Sequence, residues 1–329
     1  MYSLAWLTAT TATLATYIIM ASSQSTIPVS KVLIFSATRE FRHDSIPTAI
    51  EAMKAKGSQY GIQFDNTEDN TLFSDGRIDQ YDALVFLSNT GEVLDDAGQA
   101  AFQKYINDGG NFVGIHSASD CLRNSTFFEK ELGAHFDYHP EITNATVNVL
   151  DHSHPFTSQL PDRWEVFDEM YNFKSDPRSV GAVVVLSADE STYTDPGPRN
   201  FNQGTPHPTA WYQEHGAGVQ DGGVSGRSFY TSLGHTNETW KDEIYLSHVM
   251  GGISWVLQSN TTSFINSSAL VGSGTGSTST SSLSPSSTTG TSPSGTDTPS
   301  NNNASPSIAW VSAPFLLAAL GATLSALSL

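Results

Sequence analysis

Short apolar runs alternate with amphipathic stretches through the first half of the chain. Residues 31–35 read Lys-Val-Leu-Ile-Phe, residues 83–87 Ala-Leu-Val-Phe-Leu and residues 111–115 Asn-Phe-Val-Gly-Ile. Each run is bounded by polar or turn-forming residues, which predicts three strands. Stretches over 45–56 and 95–106 carry apolar residues at helical spacing, and the second meets Gly109-Gly110, a helix terminator. Apolar runs that do not alternate belong to strands covered on both faces. Together with the strand-helix alternation, they predict a doubly wound, mostly parallel α/β sheet flanked by helices.

The second half is less regular. Strands are predicted over 145–150, 163–167, 182–186, 209–212 and 228–233, some of them antiparallel. A closing helix over 240–257 is expected to bury Ile244, Met250, Ile253 and Val256, with His248 on it read as packing.

Composition changes abruptly at both ends of this body. Residues 1–23 are apolar and Thr-rich and end in Ala21-Ser22-Ser23, the pattern of a secretory signal peptide. Residues 24–258 form the single expected domain. Residues 259–307 are almost entirely Ser, Thr, Gly, Asn and Pro with Asp297 as the one charge, a composition that cannot offset its own ordering entropy and predicts a disordered, O-glycosylated stalk. Residues 308–329 are apolar and uncharged, as in a GPI-attachment signal; a transmembrane helix would normally carry basic residues beyond its span. These ends predict a glycoprotein held by a lipid anchor on the extracellular face of the plasma membrane or the wall. Acceptor triplets at Asn124, Asn144, Asn237, Asn260, Asn266 and Asn303 accord with that compartment.

The 33 acidic against 15 basic residues give a net charge of −18, with no Lys/Arg block. Nucleic acid is therefore excluded as a partner and neutral substrates fit better. The lone cysteine, Cys121, excludes an intramolecular disulfide and every multi-cysteine zinc site, and is read as a small buried hydrophobe.

In open α/β sheets ligands bind beyond the carboxyl ends of strands. Four places qualify: His43 after the first strand, His116 directly after Gly114-Ile115, Asp168-Glu169 after the 163–167 run, and His235 after the 228–233 run. His43, His116, Asp168 and His235 suit a divalent metal such as zinc or manganese. Without metal, His116, His43 and Glu169 suit acid/base catalysis. The plain alternative is that each imidazole donates to a carbonyl and organises its loop. His116 stands at the tight strand-to-helix turn where α/β enzymes place a nucleophile, but it is neither Ser nor Cys, so a stable acyl-enzyme is not expected. For substrate, Arg42 can bind hydroxyls or a carboxylate, Trp211 (with His207-Pro208) offers a sugar ring an apolar face, and His139, with His135, lines the cleft rim. His152 and His154 are read as a loop.

The ordered set Phe41-Arg-His-Asp-Ser-Ile46, Gly109-Gly-Asn-Phe-Val-Gly-Ile-His-Ser117, His154-Pro155, Asp168-Glu-Met-Tyr171, Pro208-Thr-Ala-Trp211, Gly226-Arg-Ser-Phe-Tyr230, Leu233-Gly-His-Thr236 and Gly251-Gly-Ile-Ser-Trp255 resembles the trehalose-utilisation (ThuA-like) family. The resemblance spans about residues 31–257. It implies a class I glutamine amidotransferase-like, flavodoxin-like sandwich. His116 stands where those enzymes carry a nucleophilic Cys, so amidotransferase activity is not expected. The resemblance also implies a saccharide or keto-sugar substrate and a sugar-oxidising dehydrogenase partner. The second expectation is a non-catalytic, cell-surface carbohydrate-binding protein that keeps the fold.

Overall fold

Nine strands form one sheet in the computed structural model, which describes residues 29–74 and 76–272. They are β1 (Ser30–Phe35), β2 (Ile62–Thr67), β3 (Ala83–Leu87), β4 (Asn111–Ile115), β5 (Thr143–Val149), β6 (Arg163–Asp168), β7 (Val183–Ala188), β8 (Pro208–Gln213) and β9 (Ser228–Thr231). Their spatial order is β2-β1-β3-β4-β9-β8-β7-β5-β6. Pairing is parallel from β2 through β9 and antiparallel from β9 to β6. Only β5 and β8 therefore run against the rest, and β1, β4, β6 and β9 all end at the same edge.

The apolar runs of β1, β3 and β4 are continuous because each alternately fills two cores. Val32, Ile34, Val85, Leu87, Val113 and Ile115 pack with α1 (Ile46–Gly57) and α4 (Glu243–Val256) on one side. Leu33, Phe35, Leu84, Phe86 and Phe112 pack with α2 (Asp96–Asn107) and α3 (Thr126–Leu132) on the other. The parallel half is thus covered on both faces, the arrangement its sequence demands. Strand β2, absent from the sequence reading, lies at the sheet edge, and its alternating exposed positions carry a weaker apolar signal.

Two boundaries differ from expectation. The closing helix begins at Glu243, where the Asp242 side chain caps the Ile244 amide, and residues 239–241 form a separate 3-10 turn. Ile244 in the first turn is consequently exposed, whereas Met250, Ile253 and Val256 are buried. The body also continues past 258: Val271 is buried, Thr261 Oγ1 donates to Gly109 O at 2.6 Å and Gly272 N to Asp79 O at 2.7 Å. These polar residues anchor to the ends of α2 and of the loop before β3, so composition alone misplaced the edge of the domain. The segments expected to be a signal peptide (1–23) and an anchor signal (308–329) lie outside the described residues, as does the expected stalk beyond 272. Among the described residues no helix is long and apolar enough to cross a membrane.

A candidate active site at the carboxyl edge of the sheet

The turn after β4 carries His116 at φ +55, a left-handed conformation that a branched or aromatic side chain rarely adopts. Tyr230 on β9 holds this turn by donating its hydroxyl hydrogen to the His116 carbonyl at 2.9 Å. The imidazole is wholly buried, and its Nδ1–H donates to the Ser232 carbonyl at 2.7 Å. That bond fixes the tautomer and leaves a lone pair on Nε2, the usual way a second contact orients a functional histidine.

Three other groups approach this lone pair. His43 arrives on the loop after β1, which is pinned where Thr90 Oγ1 donates to the Phe41 carbonyl at 2.7 Å; its Nε2 lies 3.0 Å from His116 Nε2. His235 follows Gly234, whose φ of +133 and lack of a Cβ permit close passage by Tyr245 Oη and His116. Glu169 follows β6, with Oε2 3.6 Å from His116 Nε2 and 3.1 Å from His235 Nδ1, and Oε1 3.4 Å from His139 Nε2. The His235 nitrogen facing Glu169 is itself shielded from solvent.

Burial lowers the His43 pKa to about 4, with His235 reinforcing the shift, and burial together with His43 holds His116 well below its ordinary value. Both rings are therefore neutral near pH 7 and can offer lone pairs. Burial pushes Glu169 up, but His235, His139 and His43 outweigh it and keep the carboxyl below its usual range. Glu169 in turn raises His235 against desolvation.

The His43, His116, Glu169 and His235 cluster can hold a metal ion, its ligand atoms all lying within 4.8 Å of one another. A tetrahedral ion with bonds of about 2.0–2.1 Å has ligand-to-ligand edges of roughly 3.3 Å. The contacts of 3.0, 3.1 and 3.6 Å within the cluster bracket that edge. Imidazoles, two of them neutral, and one carboxylate are donor chemistry that suits such an ion.

Asp168, expected among the ligands, has a different task. Its carboxylate is buried and accepts from the amides of Glu169 at 2.9 Å and Gly234 at 2.9 Å, with His235 N at 3.3 Å. Burial pushes its pKa up to about 6 against those donors. Asp168 thus fixes the backbone that presents Glu169 and His235, and Glu169 takes the place near the imidazoles.

A cavity of about 340 Å³ opens beside the cluster, lined by Phe41, His43, Thr90, Ser117, Asp120, Phe136, His139, Glu169 and Tyr171. A smaller one of about 180 Å³ is lined in part by His43 and His235. His139 therefore does reach the cleft, whereas His135 is buried behind Ser119 O. Trp211 cannot face a sugar: it is fully buried on β8, donates Nε1–H to Leu132 O at 2.7 Å and lies against Tyr230. Its apolar neighbours in the strand already marked it for the core. Arg42 is exposed and ion-paired with Glu68 at 2.7 Å, and it does not line either cavity beside the cluster. His152 and His154 organise their loop, His248 bonds Phe156 O in the core, and Cys121 is buried.

The aromatic wall was missed by sequence reasoning. Tyr171 places its hydroxyl 3.1 Å from His116 Nε2, and burial raises its pKa well above the ordinary value. The available signal was its place two residues beyond Glu169 in Asp168-Glu-Met-Tyr171.

Fold and site together define a flavodoxin-like α/β protein with a His/Glu centre at the carboxyl edge of its sheet. The family profile described as "Trehalose utilisation" (ThuA) matches residues 31–256, and the chain belongs to that family. A ThuA-like protein from Bacteroides uniformis superposes with a TM-score of 0.53 at 20% identity, covering 72% of this chain and 94% of that one. One from Parabacteroides merdae gives 0.51 at 17% identity, with 70% and 90% covered. No curated protein matches in sequence.

Proposed function

We propose that this protein is a carbohydrate-active enzyme that uses histidine-based acid/base chemistry on a saccharide or keto-sugar, assisted by one divalent ion, zinc or manganese. The observation carrying this reading is the convergence of His43, His116, His235 and Glu169, of which His43 and Glu169 line a cavity of about 340 Å³. Its walls combine aromatic faces (Phe41, Phe136, Tyr171) with polar groups (Thr90, Asp120, His139), the mixture a sugar ring presents to and requires from a protein.

The bound ion would polarise a carbonyl or hydroxyl oxygen of the substrate. His43, His116 and His235 would hold it, and the neutral His43 and His116 rings keep lone pairs available. Glu169, kept ionised by His235 and His139, removes the proton from substrate carbon or hydroxyl, and His139 steadies the carboxylate from the solvent side. We place the protein outside the cell on a lipid anchor, on the strength of its terminal sequences, and give it a sugar-oxidising dehydrogenase as the supplier of keto-sugar.

The test is metal analysis of the purified protein with and without chelator, with a turnover screen against ordinary and oxidised disaccharides. Stoichiometric metal and keto-sugar turnover, abolished in a folded His116→Ala variant, are expected. Sugar binding without turnover would replace the enzyme by a carbohydrate-binding protein, and undiminished turnover in His116→Ala would remove the centre assigned to it.

A further inference from the structure

Tyr171 is almost wholly buried, yet it lines the cavity. Its ring is stacked on His116 with centroids 4.8 Å apart, on His139 at 5.6 Å, and is tilted against Phe136 at 4.5 Å. Its backbone carbonyl accepts from His207 Nε2 at 2.8 Å, and His207 Nδ1 lies 2.8 Å from Glu190 Oε1 and 3.4 Å from Tyr193 Oη. The Glu190–His207 pair thus clamps the segment from behind. The Tyr171 ring is therefore fixed, and the hydroxyl hydrogen keeps one free rotation.

That hydrogen now points at a lone pair with other claims on it. His116 Nδ1–H is committed to Ser232 O, so the single Nε2 lone pair faces both Tyr171 Oη at 3.1 Å and His43 Nε2 at 3.0 Å, and Nε2 is also the atom that joins the metal-binding cluster. A lone pair in a coordinate bond cannot also accept a hydrogen bond. We propose that Tyr171 is a metal-released donor: loading the cluster takes the His116 Nε2 lone pair from the Tyr171 hydroxyl, which then donates to a ligand oxygen in the adjoining cavity. The proposal deepens the reading above and rests on its divalent ion. Glu190 and His207 are positioning residues for this donor.

Zinc titrated into metal-free full-length protein, wild type and Tyr171→Phe, tests it by calorimetry and near-ultraviolet absorbance. The variant should bind zinc about two- to tenfold more tightly, because one competing hydrogen bond has gone. Wild type should show a zinc-induced tyrosine difference spectrum that the variant lacks. Acetohydroxamate, a small oxygen ligand, should then bind the zinc-loaded variant about fivefold more weakly than the zinc-loaded wild type, the size of one hydrogen bond. Equal or weaker zinc binding in the variant, no tyrosine signal in wild type, or equal acetohydroxamate affinity would each overturn the proposal. So would failure of acetohydroxamate to bind zinc-loaded wild type, since no oxygen could then reach the hydroxyl. Loss of sugar turnover as a property would leave these results standing, whereas a wild type that takes up no zinc brings down the metal and this donor together.

Discussion

The neutral state of His43 gives acid a specific route to destabilise the fold. Burial, the neighbouring His235 and, more weakly, His139 hold its pKa to about 4, while Glu169 and Asp44 pull the other way; the free imidazole value is 6.5. Between those two values the unfolded chain binds the proton and the folded state does not. The sign follows directly: this contribution to stability is complete above pH 6.5 and shrinks as pH falls toward 4. The whole gap is worth about 3 kcal/mol, of which about 2 kcal/mol has gone by pH 5. His43→Gln removes the titration. Urea unfolding of metal-free protein at pH 7.5 and pH 5, in chelator so that bound metal adds nothing, measures the effect as a double difference. Wild type should lose about 2 kcal/mol more than the variant over this interval. His116, also depressed by burial, leaves the variant some acid sensitivity of its own. Equal losses in the two proteins would refute the reasoning, because His43 would then carry the same charge folded and unfolded.

Two further outcomes separate scaffold from site. Asp168→Ala strips the acceptor from amides at Gly234, His235 and Glu169, and at about 1–3 kcal/mol per orphaned donor it should destabilise the body by roughly 3–9 kcal/mol, read as a fall in the urea midpoint. Trp211→Phe loses the bond to Leu132 O and some buried area, so it should cost about 1–3 kcal/mol in the same assay while leaving zinc affinity unchanged; a loss of zinc binding at unaltered stability would place Trp211 at the centre after all.

Much of the scaffold was legible because its physics is local. The runs at 31–35, 83–87 and 111–115 could be read as two-faced strands, since each residue answers to one of two cores. Strand β2 escaped because an edge strand covered only in part carries fewer apolar residues. The extension through 272 escaped because Thr261 and Gly272 are held by hydrogen bonds, which composition does not register. Among the residues expected to meet a substrate, His139 reaches the cavity, whereas Trp211 and Arg42 are engaged elsewhere, by Leu132 O and Glu68.

The amino-acid order by itself determined which chemical groups follow the strands, and hence that imidazole and carboxylate are the reagents available. It could not determine which carboxylate faces them. Asp168 and Glu169 are adjacent in a chain leaving a strand, where successive side chains point to opposite sides. One therefore turns inward to bind the Gly234 and His235 amides, and the other turns out toward His116. That choice, like the meeting of His43 with His116, was made only when strands far apart in sequence ran in the same direction and ended along a single edge.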